Sequence, residues 1–524
     1  MNILTWQFVK LQSDKYKLLK KYAHLCVLTL LIVLAGTVDI SHTPSVWWDE
    51  GWTMNLAKNW VQTGQYGQIM DGQLQPPGLS AAFPVVFPIA LSFRLFGVGV
   101  WQGRLPGVLF TLASFILIFV LGKRLFSLRV AWITLVYLLL MPFNEKLHPI
   151  LIGRQALGEM PVIFFLLLGY FFLLLALRKN SAWIVLAGLS WGIALRTKAQ
   201  APPFWLVSIL LPLGYALYRR WWRSLLILLT GFSITWLAAQ GLDYFQNWLL
   251  AGNVLYREAL EGYLSMSAVV TKLHVRVWAV ITAVTFGMSV LAGLIFFFYK
   301  FLKDHRQSGK DQSITLVQIA IWGLTASWMG WYLLLGMNWP RYLFPALVFG
   351  SIFAAALINV LTHSLNIPKT IDLASSIFLK KQFHRSNFGA LAGILLIAWF
   401  AGVSLLILVI SLPWLSSSAV QNTADYLDSN VPKDALIESY ESPLFFLSDH
   451  RWHYPPDQVH VELNLRTMID PTTVVSYNPL EFDPDYLVIG PSAGEWHLYD
   501  QWVEDGDFKL LAEFGRYSIY QRNR

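Results

Sequence analysis

The feature that most limits this chain is a series of apolar runs near 20 residues long, repeated along most of its length. A helix of about 20 apolar residues spans a hydrocarbon core of about 30 Å. Such runs occupy 24–40, 104–122, 130–143, 160–177, 182–195, 203–218, 224–240, 277–299, 314–336, 343–361 and 389–412. Charged residues make up only 13% of the 524, where a soluble chain carries roughly 25%. The sequence predicts an α-helical polytopic membrane protein with about 11 transmembrane helices. Many of its 24 Trp and 21 Tyr lie at run ends, where amphipathic rings favour the headgroup layer.

The stretch 78–96 is apolar too, but Pro84 and Pro88 interrupt its helical hydrogen bonding. Positive charge decides its reading. If it does not span, the basic clusters (Lys10 to Lys21, Lys123/Arg124/Arg129, Arg178/Lys179, Arg219/Arg220/Arg223, Lys300 to Lys310, Lys369 to Arg385) all fall on one side. If it spans, every cluster after it contradicts the amino terminus. The positive-inside rule therefore puts the amino terminus in the cytoplasm and leaves 78–96 at the outer interface. The expected home is the bacterial cytoplasmic membrane. The run 24–40 follows the basic stretch YKLLKKYAH without a small-residue cleavage site, so it reads as a retained helix.

The net charge of +8 comes from scattered Lys and Arg and gives no support for a nucleic-acid partner. A single cysteine, Cys26, excludes an intrachain disulfide. After Leu412 the chain turns polar, with short alternating runs ALIES, YLVIG and YSIYQ. The expected organisation is a transmembrane domain over 1–412, with a long first outer loop at 41–103, followed by a small extracytoplasmic α/β domain over 413–524. No internal repeat is visible, although inverted-repeat transporters usually carry one.

On this topology the outer segments gather acids and bases. The first holds Asp49, Glu50, Asp71 and the turn QPPG from Gln75 to Gly78. Glu145, His148, Arg154 and Glu159 follow, then Arg196 and Lys198. Asp243, Arg257, Glu258, Glu261, Lys272 and His274 fill the third outer segment, and Arg341 follows Asn338-Trp339-Pro340. Charge at bilayer depth is costly and usually functional. A carboxylate can take a proton from an acceptor hydroxyl or amine, while cations hold the phosphate of a leaving group anchored in lipid. That combination suits glycosyl transfer from a lipid-phosphate sugar.

Four stretches carry a family resemblance: WWDEGWTMNLAKNWVQTGQY with the QPPG turn, WQGRLPGVLF, GRQALGEMPVIFFLLLGYF and GIALRTKAQ, with NWPRYLFPAL as a weaker fifth. Over roughly residues 20 to 350 the chain resembles the GT-C glycosyltransferases that use polyprenyl-phosphate sugars, such as protein O-mannosyltransferases and lipid A aminoarabinose transferases. The resemblance implies that Asp49 is the catalytic acid-base group and that Glu50 holds the loop, with Glu159 as a second acid. It also implies substrate contacts from Arg104 and Lys198. Gln75 stands where many relatives have Lys or His before the double proline, and Glu159 where relatives commonly have Asp. The expected partners are a polyprenyl-phosphate-linked sugar, an acceptor (glycan, lipid or protein) and membrane lipid. The expected reaction is one inverting displacement, with phosphate contacts from Arg154, Lys198 and Arg341.

Plainer readings compete. Asp49 could simply cap the helix that follows it. Trp47, Trp48 and Trp52 read as interface anchors in preference to sugar platforms. Arg154 could pair with Glu159 instead of phosphate, and Lys198 could snorkel. Asp49 with Glu159 could hold a divalent cation, a choice the sequence leaves open. His148 and His274 read as ordinary surface residues, and the tail acids form no catalytic pattern. The tail itself reads as a binding or packing module over the site. A transporter or flippase for a lipid-linked glycan is the rival function, and a silent membrane scaffold another.

Overall fold

A computed structural model describes residues 32–75, 82–250, 269–304, 311–379, 383–411 and 417–524, with Leu30 and Lys381. Cys26, the amino-terminal lysines, Pro76 to Gly78, Arg257, Glu258 and Glu261 lie outside them. Among the described residues, eight helices are long and apolar enough to cross a membrane. They run Val100–Leu125, Glu159–Arg178, Ala201–Tyr218, Trp222–Leu249, Leu273–Asp304, Gln312–Leu334, Pro340–Leu361 and Arg385–Ser411. Leu128–Leu139 and Trp183–Thr197 are shorter apolar helices at two of the expected spans. The first expected span lies mostly outside the described residues, so the eight long helices stand beside an expectation of eleven. This is an integral membrane protein.

The stretch 78–96 contributes a helix, Phe83–Phe96, with Pro84 in its first turn, where no N–H is needed, and Pro88 inside. Its 14 residues rise about 21 Å, short of a hydrocarbon core. It packs on Val100–Leu125 and on the helix Trp48–Thr63.

Pro340–Leu361 is the central helix and is buried along most of its length, whereas Arg385–Ser411 lies at the edge of the bundle with few buried residues. Small residues let neighbouring helices approach closely. A Cβ on Gly192 would sit 2.5 Å from the Ala238 Cβ, which is why Trp183–Thr197 can lie against Trp222–Leu249.

The carboxy-terminal region carries a five-stranded sheet in the order β4-β3-β5-β7-β6. The strands are β3 (Leu436–Ser439), β4 (Arg451–His453), β5 (Tyr486–Ile489), β6 (Phe508–Phe514) and β7 (Tyr517–Arg522). β3 pairs in parallel with β4 and β5, and β7 joins antiparallel between β5 and β6. The three alternating runs of the sequence become β3, β5 and β7. Helices Ala419–Asn430 and Asp457–Met468 complete this small α/β domain. A separate hairpin, β1 (Gln68–Met70) with β2 (Gln73–Gln75), follows the helix Trp48–Thr63.

The carboxy-terminal domain docks on that helix. Trp48 Nε1 donates to the Tyr440 carbonyl at 3.0 Å, and Ser442 Oγ donates to the Trp48 carbonyl. Lys58 Nζ reaches the Phe446 carbonyl at 3.2 Å and Asp449 at 2.5 Å. The Trp52 ring packs edge-on against Phe445 and Tyr454. Arg451 of β4 meets Asp71 at 2.5 Å, tying the hairpin loop to the sheet edge.

Candidate active site

The helix Trp48–Thr63 starts at Trp47, whose backbone is extended and whose side chain makes no capping bond. Asp49 and Glu50 occupy the first turn, where carboxylates favour the exposed N–H groups. The helix ends where Gly64 takes φ 77° and returns its N–H to the Trp60 carbonyl. Successive residues on a helix point about 100° apart, so Asp49 and Glu50 meet different surroundings.

Glu50 turns into the protein. Its two oxygens accept from Arg104 Nε and Nη2 at 2.7 Å each, and both side chains are fully buried. The Ala156 N–H adds a bond to Glu50 at 3.1 Å, and Arg104 Nη1 binds the Ile40 carbonyl at 2.7 Å. The expected substrate contact from Arg104 and a direct catalytic part for Glu50 are therefore corrected: both are spent on an internal clamp. The loop-holding part expected for Glu50 fits this geometry.

Asp49 turns outward and forms an ion pair with Arg341. Arg341, in the first turn of Pro340–Leu361, also lies 3.8 Å from Glu159. Glu159, the first residue of its helix, is buried and accepts from Lys198 Nζ at 2.6 Å. Asp49, Glu159, Lys198 and Arg341 thus come from four separate segments into one alternating cluster of charges. The simple cap reading of Asp49 falls, because Asp49 lies inside the first turn, past the N-cap position at Trp47, and its carboxylate pairs with Arg341. Aromatic rings frame the cations: Trp47 lies 4.6 Å from the Arg341 guanidinium and Trp339 6.0 Å, and Tyr342 lies 5.9 Å from Lys198.

Arg154 stands elsewhere. It caps a five-residue helix, Pro149–Gly153, and spends its guanidinium on the carbonyls of Ala35 and Thr43 at 3.0 Å and Val38 at 2.8 Å. It neither pairs with Glu159 nor joins the cluster, which corrects both expectations for it. The chain bends between 155 and 158, so the five-residue spacing is not measured along one helix. Gln75 is exposed at the end of β2 and contacts none of the cluster. Trp48 and Trp52 pack against the carboxy-terminal domain and Trp47 against Arg341, so the three rings have protein partners where interface anchoring was expected.

Arg341 bridges Asp49 and Glu159, the two carboxylates considered for a divalent ion. Lys198 meets the same Glu159 oxygen that Arg341 approaches, and the described residues hold no group of three or more His, Cys, Asp or Glu placed to share a metal.

A cavity of about 260 Å³ opens over Asp49. Trp47, Trp48 and Asp49 form one side, and Trp339, Pro340 and Arg341 a second, with Lys146 at the edge. The carboxy-terminal domain supplies the rest through Tyr440, His460, Asn464, Thr467, Ser492, Glu495 and Trp496. Sequence reasoning missed this wall, since its residues are unremarkable side chains far from the membrane motifs. His460 stacks on Trp48 at 4.7 Å and 13°. Burial pushes its imidazole down to about 4 despite the opposing pull of the Asp49 charge, so it is neutral at pH 7.

Residues 81–240 match the family model of the dolichyl-phosphate-mannose-protein mannosyltransferases. The fold is similar to ArnT from Cupriavidus metallidurans bound to undecaprenyl phosphate (15% identity, TM-score 0.61), over 96% of this chain and 98% of that one. It is also similar to the apo Archaeoglobus fulgidus oligosaccharyltransferase (12% identity, TM-score 0.56), over 96% of this chain and 75% of that one. No curated protein matches the chain in sequence. The chain shares its fold with these two structures, in agreement with the GT-C resemblance carried by the motifs.

Proposed function

We propose that this GT-C chain transfers a sugar from a polyprenyl-phosphate donor to an acceptor on the outer face of a bacterial cytoplasmic membrane, with inversion. The observation that carries the reading is the Asp49–Arg341–Glu159–Lys198 cluster, whose Asp49 and Arg341 line a cavity beside the bundle while Glu159 and Lys198 lie behind Arg341. Asp49, partly exposed and facing the cavity, takes the proton of the acceptor hydroxyl or amine. The acceptor atom bonds to the anomeric carbon as the carbon–oxygen bond to phosphate breaks. The electron pair leaves with the polyprenyl phosphate, whose negative charge falls to Arg341 and Lys198.

Phosphate is already a good leaving group, so positioning and charge stabilisation supply most of the acceleration. The four cluster residues carry two negative and two positive charges, so a donor phosphate adds charge that Lys146, lining the same cavity, helps balance. Rings around Arg341 keep it in a water-poor setting, where charge stabilisation counts for more. Glu159 holds Lys198 and Arg341 in place as a positioning residue.

Mass spectrometry of surface lipids, glycans and proteins tests the proposal in cells carrying wild type or Asp49→Asn. The variant keeps the shape of the site but cannot accept a proton, and general-base loss typically costs about 10²–10⁴-fold. One sugar modification should disappear while the protein still reaches the membrane. An unchanged surface would sink the reading.

A further inference from the structure

The cavity has two chemically different walls. The membrane-domain side presents charge, through Asp49, Arg341 and Lys146. The carboxy-terminal side presents rings and neutral or acidic hydrogen-bonding groups. His460, Tyr440 and Trp496 form a ring floor that continues onto Trp48 of the opposite side, with Trp48 and His460 stacked at 4.7 Å, and Tyr440 and Trp496 5.5 Å apart. The floor begins at the residue next to Asp49. Asn464, Thr467 and Glu495 rim it, with Thr467 and Glu495 exposed.

We propose, building on the glycosyl transfer above, that the acceptor is itself a saccharide and that this carboxy-terminal wall is the subsite that binds it. A sugar ring has apolar C–H faces and a rim of hydroxyls. The faces stack on aromatic rings, and the hydroxyls bond to carboxamide, hydroxyl and carboxylate groups around them. Trp496 supplies the stacking surface, and Thr467 and Glu495 read the hydroxyls. This places one hydroxyl of the terminal sugar over Asp49 at the other end of the floor.

The alternative, an extended peptide, meets a wall of the wrong kind. One common way an extended peptide gains affinity is by adding a strand to a sheet edge. The edges of this sheet are β4 and β6, and no residue of either lines the cavity. The wall is built from helix Asp457–Met468, helix Pro491–Glu495 and the residues beside them. The volume of about 260 Å³ is just below the roughly 300–1,000 Å³ of sites that enclose small molecules, which suits the end of a glycan.

The test compares the full-length protein as wild type, Asp49→Asn, Trp496→Ala, Glu495→Gln and Thr467→Ala in a deletion strain, with membrane levels measured for each. The product lost in Asp49→Asn is isolated and its linkage determined. The expected result is a sugar-to-sugar linkage, lost with Asp49→Asn and reduced about three- to tenfold by Trp496→Ala, the scale of one lost stacking partner. Glu495→Gln and Thr467→Ala sit on exposed positions, so they report even if Trp496→Ala fails to fold, and each should lower the product. A lost linkage to a peptide side chain or to a lipid lacking sugar would overturn the saccharide acceptor. So would normal product in all three wall variants while Asp49→Asn abolishes it. Full product in Asp49→Asn would instead strike the glycosyl-transfer reading underneath.

Discussion

Glu50 holds the Arg104 guanidinium at both ends, 2.7 Å from Nε and 2.7 Å from Nη2, with neither side chain reaching solvent. The pair sits directly behind Asp49 and fixes how the first helical turn presents it. Removing one partner leaves a buried charge without compensation, at a cost of about 3–5 kcal/mol. Arg104→Met should therefore lower the melting temperature strongly and reduce sugar transfer together with it. The double variant Glu50→Gln/Arg104→Met removes both charges and should recover part of that stability, a coupling of about 1 kcal/mol or more. A double variant no more stable than the weaker single would show that the clamp is not a coupled pair.

The charge between the two site carboxylates has a direct consequence for metal dependence. Arg341 already stands between Asp49 and Glu159, and Lys198 binds the same Glu159 oxygen at 2.6 Å. A divalent ion would have to displace a guanidinium held among the Trp47, Trp339 and Tyr342 rings. Transfer by purified protein is expected to change less than about twofold after a chelator, a difference of roughly 0.4 kcal/mol in the barrier. Loss of transfer with chelator and recovery with Mg²⁺ or Mn²⁺ would contradict this.

What the sequence revealed and what it hid follow from range. The apolar runs are local, so the long helices were visible where they fall. Asp49, Glu159, Lys198 and Arg341 stood out one by one because charge beside a bilayer is expensive. Their convergence was not visible, because four segments meet only when the bundle packs. Arg154 misled because spacing says nothing once the chain bends between it and Glu159. Trp48 and Trp52 misled because tryptophan next to a membrane run has two uses, and only the docked domain shows which applies. His460, Thr467 and Glu495 had no signal at all: each is an ordinary polar residue until the sheet domain folds down over Asp49.

Gly51 measures how closely that domain must approach. A Cβ at Gly51 would lie 2.4 Å from Pro443 N and 2.5 Å from the Ser442 carbonyl carbon, both backbone atoms that cannot rotate away. Gly51→Ala is therefore expected to lift the carboxy-terminal domain off the helix, although alanine is the better helix former by about 1 kcal/mol. The bonds from Trp48 to Tyr440 and from Ser442 to Trp48 would lengthen with it. Limited proteolysis should cut the domain faster in the variant, and transfer should drop by at least about tenfold. Equal protease resistance and equal transfer would mean that the close approach is unimportant.

Glu441 gives the carboxy-terminal domain a pH dependence of definite sign. It is buried beside the cavity wall, and its Oε1 accepts from the Ser492 and Ala493 N–H groups at 2.7 and 3.0 Å. Burial outweighs these bonds and raises its carboxyl to about 7. The folded domain therefore keeps a proton that the unfolded chain has released, and Glu441 makes folding progressively less favourable as pH climbs from about 4.5 to 7. Gln at this position keeps an oxygen for both N–H groups and carries no charge to bury. Melting curves of wild type and Glu441→Gln should coincide near pH 4.5. They should separate above it, with the variant more stable at pH 7.5. Each unit of the raised pKa is worth about 1.4 kcal/mol, so a gap of about 1–3 kcal/mol is expected. A variant less stable than wild type at pH 7.5 would show instead that the ionised carboxylate is what the Ser492 and Ala493 N–H groups require.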